Sequence, residues 1–558
     1  MLGFPGSEQI DTCWPRRREA PVFADGGMVA SAHPLITRAG VATLENGGNA
    51  VDAAVAAGLV AAVVMPEMCG LGGDLFAVVH APARSGGGET VAIHGSGISP
   101  RGASIDLMRA NGDAGGTHMP YRGPLAVGVP GMVDAYFAML ERFGVRPFAE
   151  LAERAIWYAG NGYPLTRDGA GAIANSQDLL EQFPASAEVF LPGGEPPRVG
   201  TILRQPDLAR TLRQIAAEGR DAFYRGEIAG RIEAYMTANG GAMTVDDLAS
   251  HATEISAPIE TTYRGYTVYQ TALPTQGIIL LGALSIAEQA DLAAIDPYSA
   301  AGVHLLAEAK KLAYADRLGY CGDPRFVDTP LDKLLSKEWA AGRYARIDPE
   351  RAADDVPAGD HADGDTTYLC VVDRDGMMVS LIQSVSSNFG SGVVVDGAGI
   401  VLNNRVGRGF TLQDGHPNVY APGKKTMHTL NCYLIADPDG TPVLVGGTPG
   451  GDGQPQWNLQ VITSLIDGGL DVQAAIDAPR WTSWPGTDPS TIDNPFELRI
   501  EGRLGDDIIS GLEARRHHVS RLGPWHGGGS AQVIARDPNT RVLAGGSDPR
   551  VEGIAAGF

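Results

Sequence analysis

The chain has 558 residues, of which 44% are hydrophobic, and a formal net charge of −22. It is therefore long enough to bury a large core, and its acidic field opposes binding to nucleic acid or to an anionic membrane surface. An anionic small molecule would need a local basic pocket. The scattered cysteines show no Cys-x-x-Cys pair and no His-rich metal spacing, so neither a disulfide framework nor a metal site is predicted. They are Cys13, Cys69, Cys321, Cys370 and Cys432.

Residues 1–25 look like an irregular entry arm, and residues 1–30 contain no apolar segment of signal-peptide length. The longest apolar run, Ala53 to Met65, is shorter than the roughly 20 residues that span a bilayer. We therefore expect a cytoplasmic protein that does not cross a membrane.

The first half of the chain alternates predicted helices and strands. A short strand at 27–32 and a helix at 34–46 precede an alanine-rich buried helix at 50–65, which Pro66 ends. The glycines of 67–74 predict a turn. They follow a helix and precede a strand, the reverse of a dinucleotide fingerprint, so nucleotide binding is disfavoured. Further predictions are a strand at 75–80, amphipathic helices within 133–163 and 207–240, strands at 199–202 and 261–270, and a long helix at 299–320.

Strands predominate after residue 366. Two β-rich runs, 367–372 and 377–382, are joined through Asp375-Gly376, a step that suits a tight hairpin turn. The remaining predicted strands are 392–395, 400–402, 431–436, 443–446, 497–501, 530–535 and 541–544, and the predicted helices are 455–467 and 471–477. No internal repeat is visible.

Thr366 stands between an acidic, Pro- and Gly-containing segment, 351–365, and the first strand of this hairpin. If the bond between Asp365 and Thr366 breaks, Thr366 acquires a free α-amine beside its own hydroxyl. Such an amine, with a reference pKa of about 7.7 to 8.0, can accept the hydroxyl proton as a general base. From this stretch alone, a threonine that merely opens a strand is the simpler interpretation.

Several blocks of sequence make the catalytic interpretation stronger, because the chain resembles the γ-glutamyltransferase family of N-terminal nucleophile hydrolases over nearly its whole length. The blocks are Gly47 to Ala54, Gly70 to Asp74, Val129 to Gly131, Tyr263 to Tyr266, Glu308 to Lys311 with Ala313 to Arg317, Leu402 to Asn404, Pro417 to Tyr420 and Thr448 to Gly451. Each is weak alone, but their order and spacing are specific.

The resemblance implies a four-layer αββα sandwich, an α/β fold, built as one composite domain. It implies cleavage before Thr366 into subunits of residues 1–365 and 366–558, which would remain interlocked. No cofactor or metal is implied. Water or a small acceptor would release the acyl group, and a homodimer is left open.

The resemblance also assigns site residues. Thr366 would be the nucleophile, Gly450 and Gly451 the oxyanion hole, and Ser384 the second hydroxyl near the nucleophile's amine. Ser386 and Asn388 are candidates for substrate contacts, and each is equally explained as a polar residue at a strand end. Tyr420 matches a lid tyrosine in a lid segment that is shortened here.

The departures from the family pattern bear on the substrate. The arginine that holds a glutamyl α-carboxylate is replaced by Ser96, and a serine pair by His428-Thr429. The positions that hold the α-ammonium carry Arg405 and Arg408, which would repel it. Guanidinium groups instead suit a carboxylate or an α-keto acid. Alternatively, either arginine pairs with Asp396 or Asp414 and points away.

The His428-Thr429-Leu430-Asn431 run resembles the small-substrate amidohydrolase branch of the family, which includes oxamate amidohydrolase. We therefore expect a threonine hydrolase that cleaves the amide of a small anionic acid through an acyl-enzyme. Conventional γ-glutamyl transfer, C–C hydrolysis of an oxalyl-bearing substrate, and an unprocessed binding protein without activity are the alternatives.

Overall fold

A computed structural model describes residues 20–83, 88–354, 366–486 and 495–558. Asp365, Cys13 and most of the predicted entry arm lie outside these residues. The described cysteines, Cys69, Cys321, Cys370 and Cys432, are all buried and none of them forms a disulfide. Within the described ranges, no helix has both the length and the apolar character needed to cross a bilayer.

The helices surround two large sheets and are numbered in chain order. They are α1 (Pro34–Glu45), α2 (Ala50–Val64), α3 (Ile105–Ala110), α4 (Asp113–Gly116), α5 (Met132–Phe143), α6 (Phe148–Asn161), α7 (Arg167–Asn175), α8 (Gln177–Leu180), α9 (Pro184–Phe190), α10 (Pro206–Glu218), α11 (Arg220–Tyr224), α12 (Glu227–Ala238), α13 (Val245–Ala249), α14 (Gly277–Ala287), α15 (Leu292–Ile295), α16 (Ala300–Tyr320), α17 (Leu331–Leu334), α18 (Lys337–Tyr344), α19 (Arg405–Gly409), α20 (Gly453–Ile466), α21 (Val472–Asp477) and α22 (Asp506–Ala514), with a 3₁₀ helix at Pro124–Ala126.

The strands are short to medium in length. They are β1 (Val22–Ala24), β2 (Gly27–Ser31), β3 (Asp74–Pro82), β4 (Gly88–Gly95), β5 (Tyr163–Pro164), β6 (Ile202–Leu203), β7 (Glu254–Ser256), β8 (Ile259–Tyr263), β9 (Tyr266–Gln270), β10 (Thr367–Asp373), β11 (Met378–Ser384), β12 (Val394–Val395), β13 (Ile400–Val401), β14 (Cys432–Ala436), β15 (Pro442–Gly447), β16 (Trp481–Trp484), β17 (Glu497–Glu501), β18 (Val519–Leu522), β19 (Gln532–Arg536), β20 (Leu543–Ser547) and β21 (Ile554–Gly557).

Two seven-stranded antiparallel sheets form the centre of the fold. The first has the order β1-β20-β19-β15-β14-β9-β8, and the second β21-β2-β10-β11-β3-β4-β7. A core containing Met28, Phe76, Tyr368, Leu434 and Ile534 lies between them, with residues from both sheets. The sheets therefore pack face to face.

Helices cover the outer face of each sheet. A large apolar cluster unites α1, α2, α5, α6 and α10 with the sheet that contains β10. A second cluster unites α14, α16, α20 and α21 with the other sheet. Helix α2 is apolar all round and buried along its full length, as its central position requires. The layers are thus helix, sheet, sheet, helix, and the predicted αββα sandwich is confirmed.

Several predicted elements are divided in the structure. The region 133–163 forms α5 and α6, which are separated by a turn containing Gly144 and Pro147. Gly219, at φ +80°, ends α10, so 207–240 forms three helices. Arg264 and Gly265, both with positive φ, turn 261–270 back as the hairpin β8–β9. The predicted strand at 199–202 is reduced to the two-residue β6.

Leu434, on β14, tests the packing between the sheets, because its side chain is fully buried there. We expect Leu434→Ala to lower the free energy of unfolding by about 2–5 kcal/mol, through lost transfer energy and the cavity left behind. Urea denaturation followed by circular dichroism measures this loss. Leu107→Ala on α3, where the side chain is partly exposed, is the matched control and should shift the curve far less. An equal shift for both variants would contradict the packing described.

Candidate active site

Thr366 lies immediately before the central strand β10, which pairs with β2 on one side and β11 on the other. The register joins Thr367 to Gln383, so Thr366 comes opposite Ser384 at the end of β11. The Thr366 Oγ1 and Ser384 Oγ atoms are 3.3 Å apart, and both residues are buried. The hairpin thus brings together two hydroxyls that the sequence singles out.

The chain beyond β11 turns tightly around Ser384. Its Oγ accepts a hydrogen bond of 2.7 Å from the N–H of Ser386, whose φ is +90°. The Asn388 carbonyl accepts a hydrogen bond from Arg122. The Ser386 Oγ and Asn388 Oδ1 atoms are buried and have no hydrogen-bond partner among the described residues. Both residues therefore keep a buried polar atom close in the chain to Ser384.

Gly450 and Gly451 lie between β15 and α20, both with positive φ, at +118° and +52°. A Cβ on Gly450 would lie 2.2 Å from the Trp457 ring, so only glycine fits there. Gln276 Nε2 donates to the carbonyls of Gly451 and Thr429, at 2.8 and 2.6 Å. These contacts tie the glycine turn to the residues around Thr429.

A pocket of about 190 Å³ reaches Thr366 and Gly450 together. Its other walls include Ala32, Met65 and Pro449. The backbone N–H groups of Gly450 and Gly451 form no hydrogen bond with another described residue. Backbone donors beside a hydroxyl are the geometry that stabilises an oxyanion during acyl transfer.

Arg405 and Arg408 both lie on the short helix α19 and are buried. Arg405 Nε donates to Asp74 Oδ2 at 2.9 Å, and Asp74 pairs with Ser384 in the sheet register. Arg405 Nη2 is buried and has no hydrogen-bond partner within the described part of the chain. One edge of this guanidinium is held by Asp74, and a donor on it remains for another acceptor.

Arg408 lies beside His428 and Thr429, which are also predicted substrate-binding residues. Its Nη1 donates to Thr429 Oγ1 at 3.1 Å. His428 packs against Phe76, with ring centroids 4.8 Å apart. Burial lowers the pKa of His428 well below its usual value, and the charge of Arg405 adds to this effect, so the imidazole is neutral. Two guanidinium groups, a neutral imidazole and a hydroxyl therefore meet near Asp74.

In the described structure, the predicted alternative partners Asp396 and Asp414 do not form ion pairs with Arg405 or Arg408. Arg405 pairs with Asp74, while Asp414 pairs with Arg109 at the surface. Asp396 forms no ion pair with either arginine in the described structure. The interpretation that Arg405 points away to Asp396 or Asp414 is therefore wrong.

Neither Ser96 nor Tyr420 lines the pocket at Thr366. Ser96 follows β4 and is fully buried, and its Oγ has no hydrogen-bond partner among the described residues. Tyr420 is 3% exposed and packs against Phe410, at a centroid distance of 5.3 Å, in a separate apolar cluster. It does not line the pocket at Thr366. In this conformation the tyrosine belongs to a small core and does not cover the pocket.

Asp74 is a site residue that sequence reasoning missed. It is fully buried at the start of β3, where burial raises its pKa to about 6 although Arg405 opposes the effect. The available signal was an acidic residue that directly opens an apolar strand, since such a buried carboxylate needs a cation.

Sandwich and site together define an N-terminal nucleophile type of hydrolase. A sequence profile described as gamma-glutamyltranspeptidase matches residues 37–558. The chain is 39% identical, over 538 residues, to the glutathione hydrolase-like YwrD proenzyme of Bacillus subtilis, covering 95% of this chain and 98% of that one. It is 38% identical over 542 residues to the oxamate amidohydrolase proenzyme of Klebsiella pneumoniae, with the same coverage.

A solved structure extends this similarity. The crystal structure of cephalosporin acylase from Bacillus halodurans superposes with a TM-score of 0.90 at 35% identity, covering 99% of both chains. The chain therefore belongs to the gamma-glutamyltranspeptidase family. The prediction of an amidohydrolase or acyltransferase of this family is confirmed.

The pKa of Asp74 gives the site a pH dependence. As the pH falls through about 6, Asp74 takes up a proton and loses its charge, while Arg405 stays cationic. We expect the affinity of the processed enzyme for oxalate, an anion with no amide to cleave, to rise about tenfold between about pH 7.5 and 5.5, equivalent to one pKa unit of coupling. Calorimetric titration measures it.

At about pH 7.5 the Asp74→Asn variant should bind oxalate with the affinity that the unchanged enzyme shows at about pH 5.5. Glu254→Gln removes a carboxylate that pairs with Lys425 at the edge of the site, and it should keep the pH dependence. An oxalate affinity that is flat or falls on acidification would overturn this assignment.

Proposed function

We propose that the chain is an autoprocessing threonine hydrolase, cut before Thr366, that hydrolyses the amide of a small anionic acid. The observation that carries the proposal is the buried guanidinium of Arg405, which keeps a donor without a partner among the described residues while Asp74, the register partner of Ser384, holds its other edge. A carboxylate can accept such donors bidentately. The relative named oxamate amidohydrolase supports this substrate class.

The first chemical step is attack by Thr366 on the amide carbonyl. After cleavage from Asp365, the α-amine of Thr366 takes the proton of its own hydroxyl. Ser384, at 3.3 Å from the Thr366 oxygen, would orient that amine and hydroxyl. The N–H groups of Gly450 and Gly451 would hold the negative oxygen that develops on the carbonyl.

The second step returns the enzyme to its starting state. The C–N bond breaks, the leaving nitrogen takes the proton held by the amine, and an ester to Thr366 remains. Water attacks this ester and releases the free acid, so that the Thr366 hydroxyl is restored. A small amine acceptor would give transfer by the same route.

The acid's carboxylate would lie against Arg405 and Arg408, with Thr429, Ser386 and Asn388 as further polar contacts. His428 and Ser96 would form the buried wall behind it. A γ-glutamyl group in the usual pose would instead bring its α-ammonium toward the two arginines. That approach is repulsive and is costly in a buried site, so this substrate is disfavoured.

Processing is tested by intact-mass analysis and a denaturing gel. The unchanged chain should give two fragments whose second begins at Thr366. Thr366→Ala should stay intact and lose all turnover, because it lacks the hydroxyl, whereas Thr366→Ser should be cleaved. Thr367→Val, at the next buried position, is the control and should be cleaved normally. A different N-terminus on the second fragment would refute this account.

Substrate class is tested by comparing the anilides of oxalate and of glutamate, since both report release of the same amine. We expect kcat/KM for the oxalyl anilide to be at least about 100-fold higher, as a repelled ammonium costs a few kcal/mol.

Arg405→Gln and Arg408→Gln should each lower kcat/KM for the oxalyl anilide by about 10²-fold or more, the loss expected for a buried charge-assisted contact. Arg109→Gln removes a surface arginine that pairs with Asp414 and should leave the rate unchanged. Faster release from the glutamyl anilide would reject the proposed substrate class.

A further inference from the structure

The pocket that reaches Thr366 and Gly450 has a different chemical character from the arginine site. Its lining includes the carboxylate residues Glu67, Asp168 and Glu552, and it includes no lysine or arginine among the described residues. Neither Arg405, Arg408 nor Thr429 lines it. Thr366 therefore borders a pocket whose charged lining residues are carboxylates, while the two arginines lie outside it.

Two neutral polar groups are built into the wall of this pocket. His33 Nδ1 accepts the N–H of Leu35 at 3.1 Å, so its other ring nitrogen, Nε2, carries the proton of the neutral ring. Burial lowers the pKa of His33 to about 4, which keeps the ring neutral at pH 7.

His33 and Ser530 are only 5% and 3% exposed, and both line the pocket. The His33 Nε2 and Ser530 Oγ atoms are buried without a hydrogen-bond partner among the described residues. Since buried polar atoms rarely remain unsatisfied, these two point to a polar ligand that hydrogen-bonds inside the pocket.

The rest of the wall is apolar and narrow. Ala32, Val64, Met65 and Met68 contribute to it, and the volume of about 190 Å³ suits a short chain of a few heavy atoms. Glu552 is held at the rim, where its Oε1 accepts the N–H of Arg167 at 3.0 Å. Asp168 follows in the first turn of α7, where it is exposed and pairs with the Arg167 side chain at 3.5 Å. Both carboxylates line the same pocket as Thr366.

We infer that this pocket is the subsite for the leaving group, and that it selects amines that carry a second, cationic group on a short alkyl chain. The inference rests on the proposed acyl transfer at Thr366. When the C–N bond breaks, the nitrogen released at Thr366 takes the proton that the α-amine removed from the hydroxyl. The distal ammonium stays near Glu552 and Asp168, and the same pocket would receive an amine acceptor in the reverse direction.

The physical reason for selectivity is charge complementarity on both sides of the scissile bond. An anionic acyl part is attracted to Arg405 and Arg408, and a cationic leaving part to the acidic pocket. An anionic leaving group, such as an amino acid, meets carboxylates instead and is repelled.

Direct binding tests the pocket without requiring turnover. Calorimetry on the processed enzyme uses 1,3-diaminopropane and β-alanine, a zwitterion of similar size in which a carboxylate replaces the second ammonium. We expect the diamine to bind at least about tenfold more tightly, and Glu552→Gln with Asp168→Asn to remove most of that difference. Glu153→Gln changes an exposed carboxylate on α6 outside the pocket and should leave it intact. Equal or reversed affinities would overturn the inference.

A kinetic comparison in which the acyl group is kept constant then measures the effect of the leaving group alone. Three oxalyl amides are compared, made from 1,3-diaminopropane, butylamine and β-alanine. We expect kcat/KM to be highest for the amide with the cationic leaving group, lower for the neutral one and lowest for the anionic one, with about 100-fold between the extremes. The double variant, Glu552→Gln with Asp168→Asn, should reduce this difference.

The two experiments separate the inference from the proposed function. If the diamine binds as expected but no oxalyl amide is cleaved, the proposed acyl specificity fails and the leaving-group subsite stands. If all three amides are cleaved at similar rates, the subsite is refuted while the acyl assignment stands.

Discussion

The antiparallel pairing of β10 with β11 is the constraint on which the site depends. It sets Thr366 opposite Ser384, and pairing of β11 with β3 adds Asp74 to the same row. A shift of one residue in either register would turn every side chain of the strand to the other face of the sheet. Core packing on both faces of β10 prevents such a shift, because every residue of that strand is buried. The packing of the sandwich core thus also fixes the position of Thr366 relative to Ser384.

The buried pair of Arg405 and Asp74 shows how charge is placed in this framework. Removing two ions from water is costly, and their mutual attraction offsets that cost only when the remaining polar atoms also find partners. Asp74 has a further donor in the backbone N–H of Gly97, whereas one Arg405 nitrogen has no protein acceptor in the described structure. The pair therefore leaves one buried guanidinium nitrogen that the described part of the fold does not use.

Much of the fold follows from the sequence, because the long periodic segments are strongly patterned. The buried helix α2, the long helix α16 and the hairpin at 367–384 are predicted nearly to their ends. Other segments are not, since their boundaries depend on single turns such as Arg264-Gly265. Helix α14 is apolar throughout, and an apolar run of that length has no periodicity that distinguishes helix from strand.

The site is predicted less completely than the fold. Chain order and motif spacing select Thr366, Ser384, Gly450 and the two arginines as candidates. They cannot indicate that Asp74 is the partner of Arg405, because these residues meet only through the register of β3 and β11 and the packing of α19. For the same reason the sequence did not suggest His33 or Ser530, which are far apart in the chain and ordinary in their local context.

Strand β21 has a consequence for the order in which the fold assembles. It pairs with β2, which in turn pairs with β10, and Thr37 donates to the Ile554 carbonyl across 517 positions of the chain. The sheet that carries Thr366 is therefore complete only once residues 554–557 have paired with residues 28–31. Pairing across so long a stretch of chain carries a large loop-closure cost before its contacts form, so we expect this edge of the sheet to form late in folding.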